Sequence, residues 1–331
     1  MNTIVLDLEW NQSSTGKEAE VAVLPFEIIE IGAIKLNDDY TMISEFSELI
    51  KPQVYRRIHS YTSKLIHLQM EELESGDSFE NVATRFLDWC GEDYRFCIWG
   101  TGDLTELQRN LKFFGMPLLN NGPVPYLDVQ KLFSMAYEED RKVRRNLEYA
   151  VDYLRIEKDI PFHRAFSDAY YTAKVLSCIL KDHADLLKYI SYDVTIPPQS
   201  KEEEVHICFG NYEKYITRVF ANRDEALTDK EVLATKCYLC GRKLRKKIHW
   251  FSSNRKHYYS VSICPEHGFM KGKLRLMHYG EESVFIVKTT KLVSEEEAKA
   301  IESKRNKTAR IHEERRLNEK KKAENAKKQG Q

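Results

Sequence analysis

Two carboxylates stand close together near the start of the chain. Residues 3–11 (TIVLDLEWN) have the apolar, alternating character of a strand, and side chains two apart on a strand point to the same face. Asp7 and Glu9 therefore project side by side, where they would repel each other unless a cation lay between them. A divalent metal ion is the simplest candidate, although a strand that ends in solvent could carry the same pair by chance.

Two further acids and a histidine occur at the ends of predicted elements. Asp103 follows a glycine-rich turn (GTG, 100–102), where a strand ends and a helix begins. His163 lies on the loop before the last long helix, and Asp168 lies near the start of that helix. Taken singly, each has a structural alternative, because acids are favoured at helix N-termini and most loop histidines are not catalytic.

The order and the context of these residues form a joint pattern. The three motifs are LDLEW (6–10), WGTGDLTEL (99–107) and HRAFSDA (163–169). Together they resemble the DEDDh 3′–5′ exonucleases, the superfamily that includes polymerase proofreading subunits and ribonuclease T. The resemblance extends over residues 1 to about 185, and all five family positions hold the expected residue type.

The resemblance implies a two-metal mechanism. The carboxylates of the motifs would hold two Mg²⁺ or Mn²⁺ ions about 4 Å apart. These metal ligands are Asp7, Glu9, Asp103 and Asp168. His163 would act as the general base that accepts the proton of the attacking water. The products would be nucleoside 5′-monophosphates.

Candidate substrate contacts lie beside these motifs. Proofreading-type members carry two threonines after the first motif, whereas this chain carries Trp10 and Asn11, and in the family these positions approach the terminal nucleotide. Trp10 could stack on the terminal base, or it could be a core tryptophan. Arg144 and Arg145 could contact phosphates at the entrance of the site, or could form the solvated start of a helix.

A second set of metal-type ligands lies further along the chain. Cys237 and Cys240 form a CxxC pair, and Cys264 and His267 form a CxxH pair of the same length, with 23 residues between the pairs. Three cysteines and one histidine are a tetrahedral ligand set for one structural Zn²⁺ ion. The spacing resembles zinc-ribbon or zinc-knuckle modules in general. A redox CxxC or unrelated free thiols are the alternatives.

The predicted zinc module is rich in cations and aromatic residues. Cations that contact phosphates and aromatic rings that stack on bases are what binding of single-stranded nucleic acid requires. This favours nucleic acid over an acidic protein partner. Candidate contacts are Trp250, Arg255 and Lys256. Some of the aromatic residues must instead build the core of so small a domain.

The pattern of the first 190 residues predicts the elements that position the motifs. Three consecutive strands with short connections indicate an antiparallel meander, and strand–helix alternation follows up to a last long helix. The predicted strands lie at 3–11, 26–36, 41–50, 94–99 and 125–129. The predicted fold class is α/β, a mixed sheet flanked by helices, with a small β-rich zinc module. The family resemblance implies that the mixed sheet is ribonuclease-H-like.

Composition shifts divide the chain into four segments. Residues 1–190 would form the exonuclease domain, and 191–235 a linker and connecting segment of unpredicted function. Residues 236–293 would form the zinc-ribbon-like module, and 294–331 a charged, basic helix or tail.

The formal net charge of zero conceals an uneven distribution. Residues 1–235 hold 26 basic and 40 acidic side chains, whereas residues 236–331 hold 25 and 11. A basic C-terminal region is typical of chains with a polyanionic partner, although a solvated tail is the simpler alternative. There is no apolar run of membrane-spanning length, so no membrane partner is expected. Seven cysteines without a secretory pattern favour the cytoplasm.

The leading hypothesis is a cytoplasmic, metal-dependent 3′–5′ exonuclease that acts on single-stranded RNA or short oligonucleotides. RNA is preferred because the first motif is not of the proofreading type, and DNA is the alternative substrate. The competing hypothesis is a nucleic-acid-binding or adaptor protein in which the zinc module dominates and the nuclease fold is a scaffold. The oligomeric state is not predicted.

Overall fold

The computed structural model describes residues 1–66 and 68–329 of the 331-residue chain. The chain divides into two units, Met1–Ile196 and Pro197–Gln331. The strands of the first unit are β1 (Asn2–Asn11), β2 (Glu27–Leu36), β3 (Met42–Leu49), β4 (Tyr94–Ile98), β5 (Val124–Asp128) and β6 (Ser191–Asp193). Its α-helices are α1 (Ser60–Ile66), α2 (Met70–Glu74), α3 (Phe79–Cys90), α4 (Asp103–Phe113), α5 (Val129–Tyr137), α6 (Leu147–Tyr153) and α7 (Ala165–Asp182).

The strands of the first unit form one mixed sheet, in the order β3-β2-β1-β4-β5-β6. The first three strands pair antiparallel, β4 lies parallel to β1, and β5 lies parallel to β4. The short strand β6 is antiparallel to β5. The predicted ribonuclease-H-like mixed sheet is confirmed, and β1, which carries the first motif, lies inside it.

Helices cover both faces of this sheet because β1 and β2 are apolar on both sides. Ile4, Leu6 and Leu8 point to one face and pack in a core with residues of α3 and α4. All three side chains are buried, and each such burial contributes roughly 1.5–3 kcal/mol. The helix α7 contacts β1 and β2. Asp7 and Glu9 lie on the opposite face of β1 from the three apolar side chains, because neighbouring side chains alternate.

The second unit is built on an antiparallel sheet. Its strands are β7 (Val205–Cys208), β8 (Tyr212–Ile216), β9 (Arg245–Ser252), β10 (His257–Cys264), β11 (Gly268–His278) and β12 (Val284–Leu292), in the order β7-β8-β12-β11-β10-β9. Its helices are α8 (Arg223–Thr228), α9 (Lys230–Leu233) and α10 (Glu295–Gln329).

The two faces of this sheet have different cores. One face, here called the α8–α9 face, packs Tyr258, Leu274 and Ile286 against residues of the two short helices. The other, here called the α10 face, packs residues such as Val261 against Ala298 and Ile301 of the long helix.

The predicted linker at 191–235 differs from the structure. Residues 191–193 complete the first sheet, and residues 205–233 supply two strands and two helices of the second unit. The charge run at 201–204 is not all solvated, because the carboxylate of Glu204 is buried and accepts hydrogen bonds from Tyr215 and Arg218 at 2.7 and 2.8 Å. Strands of three to five residues give only a weak period-two signal: the stretch HICFG (206–210) suggests the strand β7 and little else in this segment.

Candidate active site and zinc centre

The end of β1 presents two carboxylates to one side of the sheet. Asp7 and Glu9 are both half-buried, and Glu9 pairs in register with Glu30 on β2. The register between the two strands then shifts, so that Trp10 pairs with Ile28 and one residue of β2 is left over. Such a bulge interrupts the hydrogen-bond ladder next to the carboxylates and changes the direction of the side chains beyond it.

The start of α7 carries the third carboxylate to the same place. The helix approaches β2 at Gly32, where an added Cβ would lie 2.1 Å from the carbonyl carbon of Ala165. Only a residue without a side chain permits this contact. Asp168 lies in the first turn of the helix, and one ligand oxygen each of Asp7, Glu9 and Asp168 lie within 4.8 Å of one another.

Asp103 lies beside this cluster. Its side chain is buried, and its Oδ1 accepts a hydrogen bond from the backbone N–H of Leu8 at 3.3 Å, so the carboxylate lies against β1. Burial raises the pKa of Asp103 to about 7, against the effect of two backbone N–H donors. The group of three carboxylates within 4.8 Å does not include Asp103.

The carboxylates of the cluster repel one another. Burial and the charges of Asp103 and Asp168 raise the pKa of Asp7 well above its usual range. Burial, with the charges of Asp168 and Glu30, raises the pKa of Glu9 to about 8. Crowded, half-buried carboxylate oxygens with raised pKa values are the donor set that a divalent hard cation relieves, so the residues fit Mg²⁺ or Mn²⁺.

His163 lies just before α7 in a left-handed backbone conformation, with φ 68°. Its side chain is exposed, and its backbone N–H donates to Oδ1 of Asp168 at 3.3 Å. This backbone hydrogen bond ties the loop of His163 to the carboxylate of Asp168 and leaves the imidazole open to solvent.

An ion pair that the sequence analysis did not single out fixes this loop. Glu30 is buried within the apolar strand β2 and receives hydrogen bonds from Nε and Nη2 of Arg164, at 3.0 and 2.9 Å. The two glutamates inside the apolar run FEIIEIGAI could have predicted such a pair, because an acid that is buried with a strand needs a partner.

Trp10 is half-buried beside the candidate site. Its ring lies 5.7 Å from that of Phe26, and an added Cβ on Gly102, the residue before Asp103, would lie 3.5 Å from its Cη2. The indole therefore contributes to the core and also borders the turn that positions Asp103.

Asn11 differs from its predicted role in substrate contact. It is fully buried, its Nδ2 donates to the carbonyls of Tyr55 and Arg57 at 2.9 and 3.0 Å, and its Oδ1 accepts from the N–H of His59 at 2.9 Å. A buried amide must be satisfied inside the protein, so Asn11 holds the 55–59 loop against β1.

The two arginines predicted at the entrance are not equivalent. Arg145 is held by Glu138 at 2.7 Å and lies 4.4 Å from the ring centroid of Tyr149. Arg144 is exposed and donates to the backbone carbonyls of Arg141 and Val143. Its charge also lowers the pKa of Asp128, although burial raises that pKa overall. Arg144 is therefore the more available of the two for a phosphate.

The second unit brings the four predicted zinc ligands together. The distances from Nδ1 of His267 are 3.6 Å to Sγ of Cys237 and 3.5 Å to Sγ of Cys264, and Sγ of Cys240 lies 3.7 Å from Sγ of Cys264. A tetrahedron with Zn–S bonds of 2.3 Å has edges of about 3.8 Å. Although burial opposes it, hydrogen bonds from His267 and nearby backbone N–H groups lower the pKa of Cys264 to about 6. The set fits Zn²⁺.

Of the nucleic-acid contacts predicted in this unit, one side chain packs in a core and two are exposed. Trp250 is not free for a base, because it packs in the core of the α8–α9 face, donates its Nε1–H to the carbonyl of Leu233 at 3.3 Å and lies over Gly272. Arg255 and Lys256 are exposed in the turn between β9 and β10. Period two on β9 shows that side chains alternate but cannot show which face two short helices will cover.

Among the residues that the structure describes, no helix has both the length and the apolar character needed to cross a membrane.

Comparison with known proteins identifies the family to which the chain belongs. The model of the exonuclease family RNase_T matches residues 4–176, just over half of the chain. No curated protein matches the chain in sequence.

Several solved structures are similar to this chain. The nuclease domain of 3′hExo, a DEDDh family member bound to rAMP, is 16% identical, with a TM-score of 0.48 over 58% of this chain and 96% of that one. Pop2p of S. pombe in a form with Mg²⁺ and Mn²⁺ is 14% identical, with a TM-score of 0.44 over 55% and 84%. Exonuclease I of E. coli in complex with a dA16 oligonucleotide is 13% identical, with a TM-score of 0.45 over 79% and 54%.

Proposed function

The chain belongs to the RNase_T family of exonucleases, and from that premise we propose a metal-dependent 3′–5′ exonuclease that releases nucleoside 5′-monophosphates from single-stranded RNA or short oligonucleotides. The observation that carries the proposal is the cluster of Asp7, Glu9 and Asp168, whose ligand oxygens lie within 4.8 Å of one another. Three elements distant in sequence supply this cluster and the adjacent Asp103.

The proposed roles follow from where each side chain lies. Asp7, Glu9, Asp103 and Asp168 would hold two Mg²⁺ or Mn²⁺ ions. Such ions, when bound, would polarise the scissile phosphate, activate the attacking water and stabilise the leaving 3′-oxygen. His163, exposed at the edge of the cluster, would take the proton of that water. The Glu30–Arg164 pair would keep His163 and Asp168 in position.

The proposed substrate preference is for RNA over DNA, because Trp10 replaces the proofreading-type threonine of the first motif. The half-buried indole has a face beside Gly102 on which a terminal base could stack. Arg144 would contact a phosphate near this end of the substrate.

The second unit would bind one structural Zn²⁺ ion through Cys237, Cys240, Cys264 and His267 and would present nucleic acid to the enzyme. Use of three of the seven cysteines as thiolate ligands supports a reducing compartment such as the cytoplasm.

The test uses end-labelled RNA and DNA oligonucleotides of one sequence. The full chain should release labelled mononucleotides with Mg²⁺ or Mn²⁺ and should stop after EDTA treatment, and Zn²⁺ alone should not restore the reaction. Asp7→Asn should lower the rate on the order of 10³-fold, because several kcal/mol of transition-state stabilisation depend on the ions. The exposed acid Asp88 gives the matched control, since Asp88→Asn should keep the wild-type rate. Intact oligonucleotides with every metal, or equal rates for the two variants, would overturn the proposal.

A further inference from the structure

A row of cations lies on the α10 face of the second sheet. On β11, Lys271, Lys273 and Arg275 pair in register with Val261, Tyr259 and His257 on β10, so these side chains share one face. The same face packs Val261 against α10. Because alternate residues on a strand are roughly 6.8 Å apart, the three cations extend over roughly 14 Å.

The helix α10 adds a fourth cation to this row. Nζ of Lys304 lies 4.0 Å from the ring centroid of Tyr259, and Nζ of Lys271 lies 5.8 Å from the same centroid. Tyr259 is half-buried: one part of its side chain packs against the core of the α10 face, and its ring lies between cations from a strand and from a helix. We call Tyr259, Lys271, Lys273, Arg275 and Lys304 the basic face.

The four cations of the basic face form no ion pair with the acids whose side chains the structure describes. Other cations of the unit do, such as Arg242 with Glu266 at 2.7 Å and Lys299 with Glu295 at 3.0 Å. Glu297, which acts electrostatically on Lys271, pairs with Lys291 at 3.6 Å.

The row repels itself. The pKa of Lys271 is lowered by burial and by the charges of Lys291, Lys273 and Lys304, although the charge of Glu297 opposes this. The pKa of His257 is lowered by burial and by the cations around it. Like charges held together on a rigid sheet destabilise the free protein, and a polyanion lying along them removes that cost.

We propose that the basic face binds the backbone of single-stranded nucleic acid, with Tyr259 as a platform for a base. That the polyanion is a nucleic acid rests on the proposed exonuclease function. That it binds on the basic face rests on the geometry of the second unit. Regularly spaced cations fit a chain that carries one charge per repeat, and an aromatic ring among them fits a base. The face also explains why Trp250 and Tyr258 are not needed as base contacts, since both point to the opposite core.

Binding is measured by fluorescence anisotropy of labelled oligo(U) and oligo(dT) with the full chain carrying Asp7→Asn, which keeps the strand intact. The triple variant Lys271→Gln, Lys273→Gln, Arg275→Gln should bind on the order of tenfold more weakly at 0.1 M salt. The slope of log K against log salt should fall by about 2, since each single-strand contact contributes roughly 0.7. Tyr259→Leu should weaken binding without changing the salt slope, whereas Tyr259→Phe, which keeps the aromatic ring, should bind as tightly as the wild type.

The matched control removes two lysines and one arginine from the same unit that already have acidic partners. The variant Lys201→Gln, Lys299→Gln, Arg242→Gln has the same net charge as the test variant and should keep affinity and slope. Zinc content and thermal unfolding establish that both triple variants are folded. Equal losses in the two triple variants, or no loss in either, would overturn the proposal. Equally tight binding of poly-glutamate would also overturn it, because the face would then recognise acidic peptides.

Failure of this inference is distinguishable from failure of the exonuclease proposal. Hydrolysis of a dinucleotide by the full chain with Asp7 intact is therefore measured apart from binding, with Asp7→Asn as the inactive control. If binding depends on the basic face but no hydrolysis occurs, the binding proposal stands and the exonuclease proposal is wrong. If hydrolysis occurs and neither hydrolysis nor binding changes in the basic-face variant, the exonuclease proposal stands and the binding proposal is wrong.

Discussion

Glu30 and Arg164 join the strand β2 to the residue immediately before α7. The guanidinium donates two hydrogen bonds to the carboxylate, and the backbone N–H of Ala165 donates a third at 3.4 Å. Glu30 also faces Glu9 across the β1–β2 pair. One buried acid is therefore shared between holding the loop of His163 and setting the electrostatics of the carboxylate cluster.

Arg164→Met should destabilise the first unit and slow the reaction. The substitution leaves Glu30 buried without its partner, which costs about 3 kcal/mol in the free energy of unfolding. It also removes the positive charge that lowers the pKa of Glu9, so metal affinity should fall. Denaturation followed by tryptophan fluorescence reports this unit, which holds three of the four tryptophans. The control is Arg85→Met, whose bonds to Glu48 are exposed and should matter by less than about 1 kcal/mol. Equal losses would show that the buried pair has no special role.

Gly32→Ala should separate α7 from the sheet. The new Cβ would lie 2.1 Å from backbone atoms of Ala165 and Phe166, so the helix must move. We expect a loss of about 1–3 kcal/mol in stability and about 10²-fold in kcat, because Asp168 would be displaced from the cluster. Gly122→Ala, where an added Cβ meets nothing within 4 Å, should be nearly neutral in both measurements. Unchanged kcat in Gly32→Ala would contradict the close contact.

Cys264→Ser should empty the zinc centre. Wild-type protein should carry about one zinc per chain by elemental analysis, and loss of a thiolate should weaken binding by more than about 100-fold. Because zinc binding and folding are coupled, the unfolding temperature of the second unit should fall as well. Cys178→Ser, at a half-buried thiol outside the cluster, should retain the metal. Full zinc occupancy in Cys264→Ser would exclude this ligand set.

Lys288 should make the second unit more stable as the pH rises above about 8. Its side chain is buried, Nζ donates to the carbonyls of Glu231 and Ala234, and burial lowers the pKa of Lys288 to about 8. Between about pH 8 and pH 10.5 the unfolded state then binds more protons than the folded state, so the free energy of unfolding rises with pH by about 3 kcal/mol. Below pH 8 the full cost of burying the charge is present.

The Lys288→Met variant isolates this effect. Other groups titrate in the same range, but they are common to both proteins. The difference in unfolding free energy between wild type and variant should therefore change with pH, in favour of the wild type, only between about 8 and 10.5. A difference that stays constant across this range would show that Lys288 titrates normally.

The sequence predicted those parts of the fold that repeat over many residues. The strands β1 and β2 and the helix α7 are long and apolar enough for their periods to be read. The order of Asp7, Asp103 and Asp168 along the chain then contributed to the family resemblance. The structure then brought Asp7, Glu9 and Asp168 together, and the family assignment is confirmed.

The sequence could not show which polar side chains face inward. Asn11 and Glu30 are polar residues within strands, and only the later loop at 55–59 and the start of α7 give them partners. Trp250 and Tyr259 lie on adjacent strands and are both half-buried, but Trp250 packs on the α8–α9 face and Tyr259 packs on the α10 face. Such assignments depend on packing between distant segments, which local periodicity does not contain.

The bulge in β2, opposite the end of β1, has a consequence for redesign. Because the ladder with β2 is broken between Glu9 and Trp10, the positions on either side are independent in register. Substitutions at Trp10 that keep a large ring beside Gly102 would test its proposed contact with the terminal nucleotide while the register of Asp7 and Glu9 stays unchanged. Bulges of this kind redirect single side chains at the end of a strand while the rest of the ladder keeps its pairing.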